Sequence, residues 1–187
     1  AVSEILQRLG FNDFVVRINH RDILRGILDA EKIEEKKHAD ALVALDKLDK
    51  IGKDGVLREF LERQIDENAA LRLLDLFDAL QSAGNSDTLS ALSGFMGELE
   101  ETGRKGLEEI RQILEFAAPL ENIKIDPSLA RGLSYYTGTI MEINVPDLAG
   151  SLAGGGRYDG LIGMFGKEQI PACGFSIGLE RILVVMD

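Results

Sequence analysis

The side chains best suited to chemistry lie in one stretch, residues 128–138, where an arginine precedes two adjacent tyrosines. Arg131 carries a planar guanidinium that can hold a carboxylate or a phosphate oxygen through two N–H groups. Tyr135 and Tyr136 each offer an aromatic face and a hydroxyl, which suit a small polar ligand with a flat ring. Gly132 lets the backbone turn sharply or approach a ligand closely. The alternative is a strand edge with a surface arginine and two half-buried rings, and this stretch alone leaves both interpretations open.

A second stretch of the same character follows at residues 153–160. It combines a cation, a carboxylate and Tyr158 with the glycine run Gly154, Gly155 and Gly156. The backbone N–H groups of such a run can line a ligand cavity.

The third stretch, residues 173–181, runs from a predicted short strand into a helix. Arg181 lies in the first turn of that helix, just after Gly178. A helix N-terminus attracts anions, and an arginine there adds to the attraction. Three clusters of glycine and arginine near the end of the chain favour a ligand site over simple packing.

Together these stretches resemble the histidyl-tRNA synthetases, a family of class II aminoacyl-tRNA synthetases. Residues 131–136 are similar to the family's first histidine motif (Arg-Gly-Leu-Asp-Tyr-Tyr), and residues 153–159 are similar to its second. Residues 178–181 are similar to motif 3 of class II synthetases, and residues 14–21 to the strand and turn that follow motif 2. The resemblance extends over almost the whole chain.

The resemblance implies that ATP activates histidine to an adenylate and that the histidyl group is then transferred to the 3′ end of tRNA-His. Attack of the histidine carboxylate on the α-phosphate brings two anions together, so the site needs cations more than it needs a base. As in the family, Arg131 would be catalytic and would bind the α-phosphate and the carboxylate. Arg181 would bind the γ-phosphate end of ATP, beside Gly178. Mg²⁺ would accompany ATP, and no protein-bound metal is predicted.

The family's histidine pocket corresponds here to three tyrosines and three glycines. Tyr136 would hydrogen-bond the imidazole, and Tyr135 and Tyr158 would shape the pocket. Its floor would be formed by Gly154, Gly155 and Gly156.

Two departures from the family pattern bear on activity. Ser134 stands where the family motif has aspartate, and a hydroxyl replaces the hydrogen bonding of that carboxylate but not its negative charge. Motifs 1 and 2 would precede Ala1, and the anticodon-binding domain would follow Asp187. We therefore expect a fragment of the catalytic domain that does not aminoacylate tRNA alone. It would also lack the motif through which the family forms homodimers.

The composition limits the classes of partner. The 187 residues include 32 acidic and 21 basic ones, and the net charge of -11 works against broad binding to phosphate backbones. One cysteine allows no internal disulfide and fits a reducing compartment, and His20 and His38 have no cysteine at zinc-ligand spacing. With no signal peptide pattern and no apolar run of membrane-spanning length, we predict a cytoplasmic protein without membrane contact.

The hydrophobic patterns predict an α+β fold in which helices interrupt a sheet. The resemblance implies the antiparallel sheet of the class II synthetase catalytic core, formed discontinuously by residues 1–30 and 119–187. Residues 31–118 would be a helical insertion domain, which in the family approaches the tRNA acceptor end. The insertion contributes -8 of the net charge, with 20 acidic and 12 basic residues, and its leucine stripes are predicted to be core.

Local patterns predict the ends and the pairing of individual elements. Asn19 is predicted to cap the helix that begins near His20. Residues 123–125 and 139–145 alternate as antiparallel strands do, and residues 151–153 would form a further short strand. The closing helix is predicted to turn one apolar face inward, formed by Leu179, Ile182, Leu183 and Met186.

Two other functions stay open at this point. A non-catalytic paralogue, such as the regulatory subunit of ATP phosphoribosyltransferase or a histidine- or tRNA-sensing domain, would bind ligands without catalysis. Such paralogues commonly lose these motifs, whereas Arg131 and Arg181 keep their tyrosine and glycine neighbours here. A purely helical interaction domain centred on residues 30–120 would need a demonstrated partner for that segment.

Overall fold

The computed structural model describes residues 2–97, 101–118, 120–131 and 135–186. The helices in these ranges are α1 (Val2–Arg8), α2 (Arg21–Ala30), α3 (Glu35–Leu45), α4 (Leu48–Glu62), α5 (Glu67–Leu80), α6 (Asn85–Met96), α7 (Glu101–Phe116) and α8 (Leu179–Met186). The strands are β1 (Val15–His20), β2 (Ile123–Ile125), β3 (Thr139–Asn144), β4 (Ala153–Arg157) and β5 (Cys173–Ile177). Helices combined with one mainly antiparallel sheet confirm the predicted α+β class.

The five strands form one sheet in the order β2-β1-β3-β4-β5. Antiparallel pairing joins β1 to β3, β3 to β4 and β4 to β5, whereas β2 runs parallel to β1. The antiparallel direction predicted for Ile123–Ile125 is therefore wrong. The reason is the connection, because a long helical crossover from α2 to α7 separates β1 from β2 and lets the chain return in the same direction.

The pairing register places one polar row on one face of the sheet. Arg17 on β1 lies opposite Glu142 on β3, and Glu142 lies opposite Gly154 on β4. Gly154 in turn lies opposite Ser176 on β5. Because side chains alternate between the two faces along a strand, these four positions share a face. We call this surface, marked by Arg17, Glu142, Gly154 and Ser176, the site face.

The opposite face of the sheet carries the apolar core and is covered by α2 and α7. α7 lies close to the start of α2, since a Cβ on Gly106 would be 2.9 Å from His20 Nδ1 and 3.0 Å from Ile23 N. His20 Nε2 also lies 3.1 Å from Glu109 Oε2 on α7. The separate insertion domain at residues 31–118 stays a prediction, and α7, within that range, packs against both α2 and the sheet.

His20, rather than Asn19, caps the N-terminus of α2. The His20 Nδ1 accepts a hydrogen bond from Asp22 N at 3.1 Å, and the ring is buried. Asn19 instead accepts from His20 N and donates to the carbonyl oxygens of Pro127 and Leu129. The predicted Asn19 cap is wrong because the Asn19 side chain binds the loop that follows β2, and it thereby fixes that loop to the sheet.

The helices α3 to α6, residues 35–96, are called here the helical segment. α4 is kinked at Gly52, which has a φ of 67°. Leu61 and Leu71 are partly exposed, at 43% and 36%. Most of the predicted stripe is core, as the burial of Leu42, Leu45, Val56, Phe60, Leu74, Phe77 and Leu80 confirms. In the described ranges, no helix is both long and apolar enough to cross a bilayer.

The closing helix α8 buries less of its surface than the pattern predicts. Ile182 is buried and Val185 is partly buried against the core. Leu179, Leu183 and Met186 are each more than half exposed, so the predicted inward orientation is wrong for these three. The helix follows directly from β5 at the edge of the sheet, where the described chain provides few neighbours for it.

The first residue of α6 completes the outer edge of the sheet. Asn85 Nδ2 donates to Ile123 O at 2.9 Å, and Asn85 Oδ1 accepts from Ile125 N at 2.8 Å. The amide side chain therefore pairs with β2 as another strand would, and it covers an otherwise open edge. The same two hydrogen bonds attach the helical segment to the sheet.

We predict that Asn85→Ala lowers the free energy of unfolding by about 1–3 kcal/mol, because it leaves two β2 backbone groups without their partner. The measurement is urea denaturation followed by circular dichroism. Ser90→Ala, at an exposed position of the same helix, is the control and should change stability by less than about 0.5 kcal/mol. Equal stability of the two variants would show that the Asn85 contacts contribute nothing.

Candidate functional site

A cavity of about 400 Å³ opens on the site face. This volume is within the range of about 300–1,000 Å³ that is typical of small-molecule sites. Glu142, Ser151 and Ser176 add polar groups that the sequence did not single out. The predicted residues that line the cavity are Arg131, Tyr135, Tyr136, Gly154, Gly155, Gly178 and Arg181. The structure thus brings together seven of the nine residues predicted from the sequence.

Arg131 is held at the cavity wall by two carboxylates. Its Nε lies 2.6 Å from Glu142 Oε1 and 3.6 Å from Asp46 Oδ1. The Arg131 side chain nevertheless remains 39% exposed. Because a guanidinium has five N–H donors, contacts at Nε leave donors for a ligand anion. Arg131 is therefore both fixed in place and available to a carboxylate or a phosphate.

Glu142 is the buried acidic group of the site. Its side chain is 6% exposed, and burial raises its pKa above the ordinary value of 4.5. The opposing effects of Arg131, Arg17 and a hydrogen bond with Ser151 lower the pKa, but they do not fully compensate for the burial. The sequence signal was a charged residue at the centre of an apolar strand, and its importance becomes visible once the register places it between Arg17 and the cavity.

The Tyr136 hydroxyl has a raised pKa. Its ring centroid is 4.3 Å from that of Tyr135, with the two planes tilted by 56°. Burial raises the Tyr136 pKa, and a hydrogen bond with Tyr135 raises it further. The hydroxyl is therefore protonated at neutral pH and can donate a hydrogen bond to a ring nitrogen of a ligand.

The glycine run is part of strand β4 rather than a loop. The strand predicted at residues 151–153 begins at Ala153 and continues through the three glycines to Arg157, so the backbone of the run pairs with β3 and β5. A Cβ on Gly155 would lie 2.2 Å from Gly174 O, and one on Gly156 would lie 2.8 Å from the Tyr136 ring. The glycines thus serve strand packing and the seating of Tyr136.

Gly156 and Tyr158 lie outside the cavity lining. The Tyr158 ring is 6.3 Å from the Tyr136 ring, and a Cβ on Gly174 would collide with the Tyr158 hydroxyl. Tyr158 therefore contacts β5 and lies beyond Tyr136 as seen from the cavity. In this structure its influence on a ligand would be indirect.

Arg181 forms the second cationic wall of the cavity. It lies in the first turn of α8, and its Nη1 donates to Ser151 O at 2.7 Å. Ser151 also lowers the pKa of Glu142, so the same serine influences the carboxylate and contacts the second arginine. Gly178, just before α8, donates its N–H to Leu152 O and fixes the start of the helix.

Gly132 and Ser134, which belong to the first stretch singled out in the sequence, lie outside the described residues. Among the residues that the structure does describe, no three His, Cys, Asp or Glu side chains are grouped as metal ligands would be. With two arginines and a protonated phenol, the cavity offers anion binding and hydrogen bonding to a ring.

Two neighbouring glycines of β4 allow a matched test of the site. Gly155→Ala places a methyl group against the backbone of β5, so we expect a loss of about 1–3 kcal/mol or more in unfolding free energy. For Gly154→Ala the nearest atoms would be Met141 O at 3.5 Å and Glu142 Cγ at 3.7 Å, which is ordinary contact. This control should stay within about 1 kcal/mol of wild type. Thermal and urea unfolding measure both, and equal losses would contradict the structure of β4.

The raised pKa of Glu142 predicts a pH dependence of stability. Since folding raises the pKa, the stabilisation from the protonated form is present below pH 4.5 and is lost as pH rises through the folded-state pKa. Glu142→Gln lacks this titration, so its unfolding free energy relative to wild type should increase as pH rises through that window. Urea denaturation at several pH values between about 4 and 8 measures the difference. If instead the unfolding free energy of wild type increases relative to that of the variant as pH rises, Arg131 lowers the Glu142 pKa by more than burial raises it.

Sequence comparison places these residues in one family. Residues 1–182 match the family model described as histidyl-tRNA synthetase. The histidine–tRNA ligase of Flavobacterium johnsoniae is 41% identical over 98% of this chain and 39% of its own length. That of Leifsonia xyli is 38% identical over 100% of this chain and 44% of its own length. The chain spans about two fifths of the length of the curated relatives it matches.

Structural comparison gives the same result. The crystal structure of histidyl-tRNA synthetase from Nostoc sp. PCC 7120 superposes with a TM-score of 0.88 at 31% identity, over 99% of this chain and 44% of that one. An ATP phosphoribosyltransferase regulatory subunit/histidyl-tRNA synthetase from Bacillus halodurans superposes with a TM-score of 0.82, over 100% of this chain and 48% of that one. At 23% identity this second likeness shows the fold alone. From the family model and these relatives, the chain belongs to the histidyl-tRNA synthetase family.

Proposed function

We propose that the cavity on the site face binds histidine and ATP as part of a histidine–tRNA ligase, which activates histidine and transfers it to tRNA-His. The observation that carries this proposal is that Arg131, Arg181 and the two adjacent tyrosines line one cavity. A non-catalytic paralogue that only senses histidine would use one cation for the carboxylate but would need no second cation for the phosphates of ATP. The presence of both cations supports catalysis over sensing.

In the proposed reaction, Arg131 brings two anions together. A carboxylate oxygen of histidine forms a bond to the α-phosphorus of ATP, and the bond from that phosphorus to the departing pyrophosphate breaks. Arg131 would bind the carboxylate and the α-phosphate, which reduces their mutual repulsion and stabilises the transition state. Arg181 would bind the γ-phosphate end, with Gly178 beside it. Mg²⁺ would enter with ATP and neutralise part of the phosphate charge.

Tyr136 would select the imidazole of histidine. Its protonated hydroxyl can donate to a neutral imidazole nitrogen. Tyr135 would cover the ring, and Tyr158 would support Tyr136 from behind. Gly154 leaves open space at the cavity floor, Gly155 allows the close approach of β5 beneath it, and Gly156 makes room for the Tyr136 ring.

The tRNA would approach through a neighbouring cleft. A cleft of about 1030 Å³ lies between the site face and the helical segment and shares Arg131 and Arg181 with the cavity. Lys50 and Lys124 also line it. We propose that the 3′ end of tRNA-His enters here and that residues 31–118 act as an inserted domain beside it. As a family enzyme of protein synthesis, the protein would work in the cytoplasm as a homodimer.

Calorimetric titration with histidine and histidinol tests the proposal. Histidinol keeps the imidazole but lacks the carboxylate. Arg131→Ala should therefore weaken histidine binding about 10- to 100-fold, the value of a charged hydrogen bond, and leave histidinol binding nearly unchanged. Tyr136→Phe removes the donor to the ring and should weaken both ligands about two- to tenfold.

Arg8→Ala is the matched control, because Arg8 is an exposed arginine on α1 that pairs with Glu4. It should bind both ligands as wild type does. Absence of binding in a chain shown by circular dichroism to be folded would refute the histidine pocket. Equal weakening of both ligands in Arg131→Ala would refute the carboxylate contact.

A further inference from the structure

Arg131 contacts one carboxylate from the sheet and one from the helical segment. Glu142 belongs to the central strand β3 of the sheet, whereas Asp46 is the C-cap residue of α3 in the helical segment. Both carboxylates have their closest contact with the same Arg131 Nε, at 2.6 Å and 3.6 Å. The orientation of this arginine therefore depends on how the helical segment lies against the sheet.

A second arginine on the site face repeats the arrangement. Arg17 lies opposite Glu142 in the register, with its Nε 2.6 Å from Asp126 Oδ2 and its Nη1 3.1 Å from Asp49 Oδ2. Asp49 comes from the first turn of α4, three residues after Asp46. One short junction of the helical segment thus supplies a carboxylate to each of two arginines that flank Glu142.

Burial of the Glu142 carboxylate costs stability. A carboxylate that is 6% exposed loses most of its hydration, and burial raises its pKa despite the arginine beside it. An apolar residue of similar size would pack at this position without that cost. The closest charged partner of this carboxylate is Arg131, at 2.6 Å, which is itself 39% exposed and lines the cavity.

We propose that Glu142 and Asp46 are positioning residues, which together orient Arg131 toward the ligand, and that the helical segment influences the site through Asp46. This inference rests on the proposed role of Arg131 in binding the histidine carboxylate and the α-phosphate. Glu142 provides the strong contact from the rigid sheet. Asp46 provides a weaker and more exposed contact that connects the helical segment to the same side chain.

The first readout needs no ligand. In the ¹⁵N-labelled chain, the Arg131 Nε–H is followed by NMR, because the close contact of Nε with the Glu142 carboxylate shields this proton from water and slows its exchange. Glu142→Gln should increase that exchange rate by about tenfold or more, since the charged partner of the guanidinium becomes a neutral amide. Asp46→Asn should increase it by about two- to fivefold, as for a partly exposed ion pair. Asp75→Asn, which removes an exposed ion pair with Lys53 in the helical segment, is the control and should leave it unchanged.

The second readout is a double-mutant cycle on ligand binding. Glu142→Gln should weaken histidine binding by about three- to tenfold and leave histidinol binding unchanged, because its effect passes through the arginine that binds the carboxylate. In the Arg131→Ala background, Glu142→Gln should change histidine binding less than twofold. Glu142→Asp keeps the charge and should restore part of the selectivity for histidine over histidinol.

The two readouts separate this inference from the proposed function. Unchanged Arg131 Nε–H exchange in Glu142→Gln and Asp46→Asn would overturn the positioning role, whatever the chain binds. A full loss of histidine binding on Glu142→Gln in the Arg131→Ala background would overturn it as well, because the effect would not pass through Arg131. Faster exchange in the two variants, together with a wild-type chain that binds neither ligand, would support positioning and refute the histidine pocket.

Discussion

The candidate site depends on the register in which β3 pairs with its two neighbours. That register places Arg17, Glu142 and Gly154 side by side on the site face. A slip of one residue would turn Glu142 to the face beneath α2 and α7 and separate it from Arg131. The same slip would move the buried Ile143 out of the core, which strongly disfavours it. The apolar core therefore fixes the geometry of charges on the opposite face.

Arg17 and Glu142, two charged residues of the site face, differ in how far their partners compensate for burial. Burial lowers the pKa of Arg17, but Asp126 and Asp49 more than compensate and raise it, so the arginine stays charged. For Glu142 the balance is the reverse, because burial outweighs its cationic neighbours. A buried carboxylate that its partners do not fully stabilise is typical of a functional position, where the fold gives up stability for geometry. This imbalance distinguishes Glu142 from the purely structural ion pairs around it.

Much of the site could be predicted from the sequence because its residue types are unusual for a core. Arg131, the tyrosine pair and Arg181 stand out locally, and the structure places them in one cavity. Asp46 could not be found, because it is one of many acidic residues in helices and its contact with Arg131 depends on tertiary packing. Asn19 shows the same limit. A local pattern suggests a helix cap, yet the partners of its side chain lie after β2, far along the chain.

The acidic helical segment shows why total charge says little about a single surface. Residues 31–118 carry much of the negative charge of the chain, which argues against phosphate binding when the segment is considered as a whole. At the junction of α3 and α4, however, Asp46 and Asp49 each contact an arginine of the site face, while the Asp49 side chain remains 58% exposed. The Asp46 carboxylate contacts Arg131, one of the cations of the cavity. Part of the negative charge of the segment therefore helps to hold a side chain that can bind a ligand anion.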